Sequence, residues 1–100
     1  MDGFDWDDGN REKCCKHGLS IEEIEQVLAN PVWLADDLAH SGRERRLIAI
    51  GVTPSGRYAF IAFTERRRGR QLLRRPISAR FMHEKEVRNY EQATAQVLDR

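Results

Sequence analysis

The sequence has only two cysteines, Cys14 and Cys15, and they are adjacent. Neighbouring cysteines rarely bridge to each other, and there is no third cysteine, so a disulfide framework is excluded. Zinc sites usually separate their cysteine ligands by about two to four residues, which allows both sulfurs to point inward. We therefore predict no metal site, and nothing in the sequence calls for a cofactor.

Long apolar runs are also missing. No run approaches the roughly 18 residues that a membrane span needs, and the acidic start, MDGFDWDDGN, lacks an apolar signal core. There are no repeats and no low-complexity linker, so we predict a single domain over residues 1–100. We expect a cytoplasmic protein without membrane attachment, because 40% apolar and 33% charged residues is a globular composition.

Familiar catalytic motifs are absent, whereas arginine is abundant. The chain has no nucleotide-binding glycine loop, no nucleophile elbow and no HExxH. Up to Gly42 it has ten acids against three Lys/Arg, giving −7, and from Arg43 onward fourteen Lys/Arg against six acids, giving +8. Thirteen of those fourteen are arginines, whose planar, permanently charged groups suit phosphate. Either a face binds a polyanion, or the two halves neutralise each other on folding.

Helix signals occur three times. The predicted helices run from Asp7 or Asp8 to about Lys16, from Ile21 to about Ala29, and over 84–98. Ser20 and Glu23 form a capping box before the second helix, in which the hydroxyl and the carboxylate each bind a free amide. The preceding FDWD, residues 4–7, alternates apolar and acidic residues as a short first strand or an extended cap would.

The middle of the chain changes to a strand pattern. Residues 45–52, 57–66 and 71–80 are rich in β-favouring residues and separated by the turns TPSG and RRRGR. Pro76 cannot donate to a sheet, so the last strand should kink or lie at an edge there. Residues 31–45 are interpreted as a polar connector. The outline is α+β: an N-terminal strand and two helices, an antiparallel sheet of three to four strands, and a C-terminal helix.

The apolar faces of all the helices are expected on one side of this sheet. The residues predicted to be buried there are Ile24, Val27, Ile48, Ile50, Phe60, Ala62 and Val87, with Phe4 and Trp6 close by. His17 allows two interpretations. A histidine at the end of a helix is favoured by the helix dipole and can bond the last carbonyls. The residues alone favour this first interpretation; the alternative is that His17 is part of a site, since imidazole titrates near neutral pH.

Several segments together resemble one protein family. FDWD, KHGLSIEE, RRLIAIG, FTER and RPISAR followed by FMHEKEVRNYE are similar, in order and spacing, to the BrnT toxins, from about residue 4 to 91. The resemblance implies a RelE-like fold and a metal-independent endoribonuclease that cleaves RNA and arrests translation. It also implies a small DNA-binding antitoxin, BrnA-like and encoded nearby, through which the toxin would oligomerise.

The resemblance and the arginine pattern together give the candidate site residues. The catalytic candidates are His17, Glu65, Arg66 and Arg80. The RNA-binding candidates are Arg46, Arg57, Arg68, Arg75, Glu86 and Tyr90. Arginine supplies charge but cannot titrate near neutral pH, so the general base and acid remain open among His17, Glu65 and Glu86. The alternative function is a non-catalytic RelE-like binding module whose arginine-rich face docks an acidic partner or RNA.

Overall fold

The computed structural model describes residues 1–98 and has an α+β architecture. The elements are α1 (Asp8–Cys15), α2 (Ile21–Ala29), β1 (Trp33–Asp36), β2 (Arg46–Val52), β3 (Tyr58–Arg68), β4 (Gln71–Phe81) and α3 (Glu84–Leu98). The four strands form one antiparallel sheet in the order β1-β2-β3-β4. The predicted fold class and layout are confirmed. No helix of this described part is long and apolar enough to cross a bilayer.

Both N-terminal helices begin at capping boxes. Ser20 accepts a hydrogen bond from the Glu23 amide at 3.1 Å, and the Glu23 carboxylate accepts one from the Ser20 amide at 2.9 Å, as predicted. Asp7 and Asn10 make the same reciprocal pair before α1. The Asn10 side chain also donates to the Pro76 carbonyl at 2.9 Å. The cap of α1 therefore attaches this helix to β4.

Two elements differ from the sequence prediction. Residues 4–7 do not form a strand; Phe4 makes a single parallel bridge with Arg74, and the Asp5 amide donates to the Arg74 carbonyl at 2.9 Å. The predicted connector over 31–45 contains β1, a four-residue edge strand. Both are short pairings at a sheet edge, which weak local patterns specify poorly.

The strand β4 bends where Pro76 was expected to disturb it. Ala62 pairs with Ser78 and Phe63 pairs with Pro76, so Ile77 is left without a partner on β3 as a β-bulge. Because β4 is the last strand of the sheet, Pro76 also lies on an edge strand. The prediction of a kink or an edge at this position is confirmed.

The main core lies between the sheet and the first two helices. We call this side of the sheet the helix face. Its buried strand residues are Leu47, Ala49, Ala59, Ile61, Phe63 and Ala79, and Ile24, Val27 and Leu28 of α2 pack onto them. Phe4 and Trp6 pack against this core, as predicted. Gly51 permits a close approach, because a Cβ there would lie 2.7 Å from Val27 Cγ1.

The opposite side of the sheet, the open face, holds residues that were predicted for the main core. Ile48, Ile50, Phe60 and Ala62 alternate with the core residues of β2 and β3, so their side chains point away from α1 and α2. The helix α3 also lies on the open face, where the Tyr90 and Tyr58 rings meet edge to face with centroids 5.7 Å apart. Ile50 and Ala62 are buried there, as predicted, whereas Ile48, Phe60 and Val87 are only half-buried. The expectation that all helices share one side was therefore wrong.

Candidate functional site

The open face divides into two ends. Near α3 lie the aromatic rings of Trp33, Tyr58, Phe60 and Tyr90, and we call this the aromatic end. Towards the other end of the strands lie Arg46, Arg66, Arg68 and Arg75, which we call the arginine end. The strand register places the strand residues of both groups on this face, because side chains that pair across antiparallel strands share a face. Tyr90 of α3 joins them through its contact with Tyr58.

Arg80 lies at the aromatic end, next to Phe60 on the neighbouring strand. Its guanidinium carbon is 4.6 Å from the centroid of the Phe60 ring. Its two terminal nitrogens donate to the Glu86 carboxylate oxygens at 2.7 and 2.9 Å. A bidentate pair of this kind fixes the orientation of the guanidinium plane. Arg80 is thus held at the rim of the sheet by the first turn of α3.

Glu86 is bound from two directions. Its carboxylate accepts the Arg80 guanidinium and also the His83 backbone amide, the latter at 2.9 Å. These two hydrogen bonds, with Arg80 contributing more, lower the pKa of Glu86 to about 2. Glu86 therefore stays ionised over the physiological range and connects β4 to the start of α3.

The depressed pKa of Glu86 predicts a specific dependence of stability on acid. An unperturbed glutamate has a pKa of 4.5, so the unfolded state takes up a proton before the folded state does. The stabilisation from Glu86 is then complete above about pH 5 and is lost as the pH falls towards about 2. We expect Glu86→Gln to lower the melting temperature at neutral pH, and the difference from wild type to shrink in acid. A difference that stays constant down to about pH 2 would contradict this assignment.

The aromatic end offers flat surfaces beside a shallow hollow. The hollow has a volume of about 290 Å³ and is lined by Trp33, Tyr90, Ala93 and Thr94. Trp33 is 45% exposed, although tryptophan is usually well covered. Exposed rings beside arginine are the combination on which single-stranded nucleic acids stack their bases.

The arginines of the arginine end are each paired with an acid. Arg66 donates to Glu44 at 2.6 Å, Arg68 to Asp5 at 3.0 Å and Arg75 to Asp7 at 2.7 Å. Arg46 Nε lies 3.4 Å from a carboxylate oxygen of Asp37. Asp5, Asp7 and Asp37 come from the acidic first part of the chain. In the folded free protein, acids from the first part of the chain therefore neutralise arginines from the second part at this surface.

The remaining predicted residues lie elsewhere. His17 is exposed just after α1, and the next residue, Gly18, faces Phe81. The Arg57 guanidinium lies over the Phe81 ring, 3.7 Å from its centroid. This is the same end of the sheet as Arg80, but Phe81 and Arg80 are consecutive on β4 and point to opposite faces. Glu65 and Arg66 are likewise consecutive, so Glu65 faces away from the open face.

Two residues that were not predicted as site residues lie near the predicted ones. His83 precedes α3, and its backbone amide donates directly to the Glu86 carboxylate. The two residues are three apart, which is the spacing of a capping box, so the sequence could have indicated this contact. Thr64 lies between Arg46 and Arg75 on adjacent strands, and no sequence signal marks it. Across residues 1–98, no three His, Cys, Asp or Glu side chains are grouped so that they could hold a metal ion.

The chain matches the model of a known protein family. The family described as "Ribonuclease toxin, BrnT, of type II toxin-antitoxin system" matches residues 6–86. The range covers most of the chain and includes every predicted site residue except Tyr90. No curated protein matches the chain.

Proposed function

Because the chain belongs to the BrnT family of ribonuclease toxins of type II toxin–antitoxin systems, we propose that it cleaves RNA without a metal ion. Cleavage would arrest translation in the cytoplasm until a BrnA-like antitoxin binds the toxin. The single observation that supports this best is the position of Arg80, a fixed cation beside the Phe60 ring. There it can contact a phosphate while a neighbouring base stacks on an aromatic side chain.

RNA cleavage of this kind needs a base for the 2′-hydroxyl, a cation for the charge on the phosphate and an acid for the 5′-oxygen. Arg80 is our candidate for the cation. Glu86 is a poor candidate for the base, because a carboxylate whose pKa is about 2 holds a proton only weakly. Its proposed role is to orient Arg80.

Imidazole is the side chain best suited to proton transfer near neutral pH. His17 and His83 each lie near the end of the sheet at which β4 ends. Glu65 lies on the helix face and pairs with Arg74, towards the opposite end of the strands from Arg80, so it is far from the proposed cation. We therefore propose His17 and His83 as the residues to test first for the base and the acid.

A two-part experiment tests the proposal. The chain is expressed from a regulated promoter in a bacterial host, with and without the gene for its antitoxin partner, and RNA is examined. We expect growth arrest with RNA cleavage, relieved by the partner, and cleavage by purified protein in the presence of EDTA. Cleavage abolished by EDTA and restored by a divalent cation would reject metal independence. Growth and RNA that stay unaffected would reject the toxin function.

A second function is favoured by one observation. The arginines of the arginine end already bind acids of the same chain, which is the arrangement of a stable surface network. A non-catalytic module of the same fold would bind RNA or an acidic partner through this face and cleave nothing. Purified protein that binds RNA but leaves it intact, and that does not arrest growth, would support this second function.

The antitoxin is proposed to bind the open face. Occupying this face would exclude RNA without any change in the conformation of the toxin, and the DNA-binding part of the partner would bring toxin molecules together on DNA. A complex in which the partner lies on the helix face, with Arg66 and Arg80 open to solvent, would reject this arrangement.

A further inference from the structure

The arginine end contains two buried polar atoms that make no hydrogen bond within the described residues, although one of them, Arg46 Nε, lies 3.4 Å from Asp37. Thr64 is only 3% exposed, and within the described residues its hydroxyl oxygen has no hydrogen-bond partner. The buried Nε of Arg46, directly across from Thr64 on β2, has none either. A buried polar atom without a partner is costly, typically by about 1–3 kcal/mol, so such atoms are rare unless something binds them.

Three arginines surround the Thr64 hydroxyl. Arg46 and Arg75 pair with Thr64 on the two neighbouring strands, and Arg66 follows two residues later on the same strand and face. Each of the three arginines starts about 5–7 Å from Thr64, whereas Arg46 and Arg75 start about 10 Å from each other. Side chains as long as arginine can still bring all three guanidinium groups to one anion placed over Thr64. The hydroxyl lies between them and can donate to the same anion.

We propose that this group binds one phosphate of the RNA backbone, held by Arg46, Arg66 and Arg75 and by the Thr64 hydroxyl. The inference rests on the proposed ribonuclease function, since it assigns a substrate phosphate to a position away from Arg80. A phosphate held at the arginine end and bases stacked at the aromatic end would align a single strand along the open face.

The acids around the site determine how the phosphate enters. Glu44 is 42% exposed, so its carboxylate can return to water at little cost and release Arg66. Asp7 is 55% exposed and binds Arg75 through Oδ2, so this oxygen can exchange Arg75 for water while Oδ1 continues to accept from the Asn10 amide and cap α1. Asp37 is only 11% exposed and also accepts from His40 at 3.0 Å, so it stays in place. Its 3.4 Å contact with Arg46 Nε orients that arginine but is not a hydrogen bond, so the Nε–H has no hydrogen bond to give up when phosphate binds. In the free protein the three acids substitute for the phosphate charge.

The test measures the binding of inorganic phosphate to the full chain by NMR. The ionic strength is held constant, and chloride is the reference anion. We expect phosphate to shift the Thr64 amide and the Arg46 Nε–H signals. Thr64→Val removes the hydroxyl at nearly constant shape and should weaken phosphate binding about tenfold, since hydrogen bonds to charged groups are worth that much. Thr64→Ser keeps the hydroxyl and should retain most of the affinity. Glu44→Gln should strengthen binding a fewfold, because the carboxylate no longer competes.

The melting temperature separates this role from a structural one. Removing an unpartnered buried hydroxyl should leave the stability of Thr64→Val unchanged or raise it. If this variant does not fold, Thr64→Ala gives the same comparison. The proposed site would be overturned if neither Thr64→Val nor Glu44→Gln changed the phosphate affinity. It would also be overturned if phosphate shifted only the NMR signals of Arg80. Phosphate binding that persists in a protein unable to cleave RNA would overturn the proposed function and leave the site standing.

Discussion

Arg80→Ala is expected to lower the rate of RNA cleavage by about a hundredfold or more, which is the usual cost of losing one transition-state donor. Arg80 is suited to this role because β4 and the Glu86 pair fix its guanidinium at the rim of the open face. The measurement is single-turnover cleavage of a defined RNA by purified protein, with the folded fraction determined by circular dichroism.

The same pair also gives Arg80 a structural role, so the two contributions must be separated. Arg88 and Glu84 form a matched control: they make an ion pair at 3.0 Å on the same helix. Arg88→Ala removes an arginine–glutamate pair without touching the open face and should leave cleavage unchanged. Arg80→Ala should lower stability by about 1 kcal/mol, within the range of partly exposed pairs.

Conservative variants extend the comparison. Arg80→Lys keeps the charge but loses the bidentate geometry, so it should recover only part of the rate. Glu86→Gln frees Arg80 from its carboxylate and should affect cleavage less than Arg80→Ala does, because the cation remains. Folded Arg80→Ala protein with the specific activity of wild type would show that Arg80 only stabilises the fold.

Local signals predicted local structure well. Ser20 and Glu23 indicated the start of α2, and the residues of α3 followed from helical periodicity alone. The reason is that capping and helix formation depend on residues three or four apart in sequence. The bulge beside Pro76 was predictable on the same grounds, since a missing amide is a property of one residue.

The faces of the sheet were not predictable in this way. Leu47 and Ile48 are both apolar, as are Ile61 and Ala62, so alternation does not show which of each pair points to α2. The assignment depends on where the helices pack. When both faces of a strand carry apolar residues, the period-two pattern that fixes a half-exposed strand is lost.

The sequence predicted the charge pairs only as one of two alternatives, in which the acidic and basic halves of the chain neutralise each other on folding. Asp7 and Arg75 are 68 positions apart, and their contact depends on the N-terminal segment running beside β4. The unused hydroxyl of Thr64 depends on strand register in the same way. A candidate site made of residues from three strands therefore needs the fold before its members can be grouped.

Replacing Arg46, Arg66 and Arg75 together by glutamine is expected to weaken the binding of single-stranded RNA about a hundredfold at about 0.1 M salt. Each phosphate that is neutralised contributes about 0.7 to the slope of log affinity against log salt for a single strand, and the three arginines are proposed to hold one phosphate. The slope should therefore flatten by about 0.7 when binding is measured by fluorescence anisotropy over a range of salt concentrations.

The corresponding lysine variant distinguishes charge from geometry. It keeps three cations on the open face, so the salt slope should stay close to that of wild type. Its affinity should still fall, because an ammonium group cannot make the planar, paired contacts that a guanidinium makes with phosphate.

A second control separates the open face from total charge. Arg11, Arg43 and Arg70 are exposed and lie outside the arginine end, and replacing them by glutamine changes the net charge by the same amount. If the phosphates contact the arginine end, this variant should retain most of the affinity and the slope. Equal losses in the two glutamine variants would mean that RNA responds to the overall charge of the protein, and that the arginine end has no special part in binding.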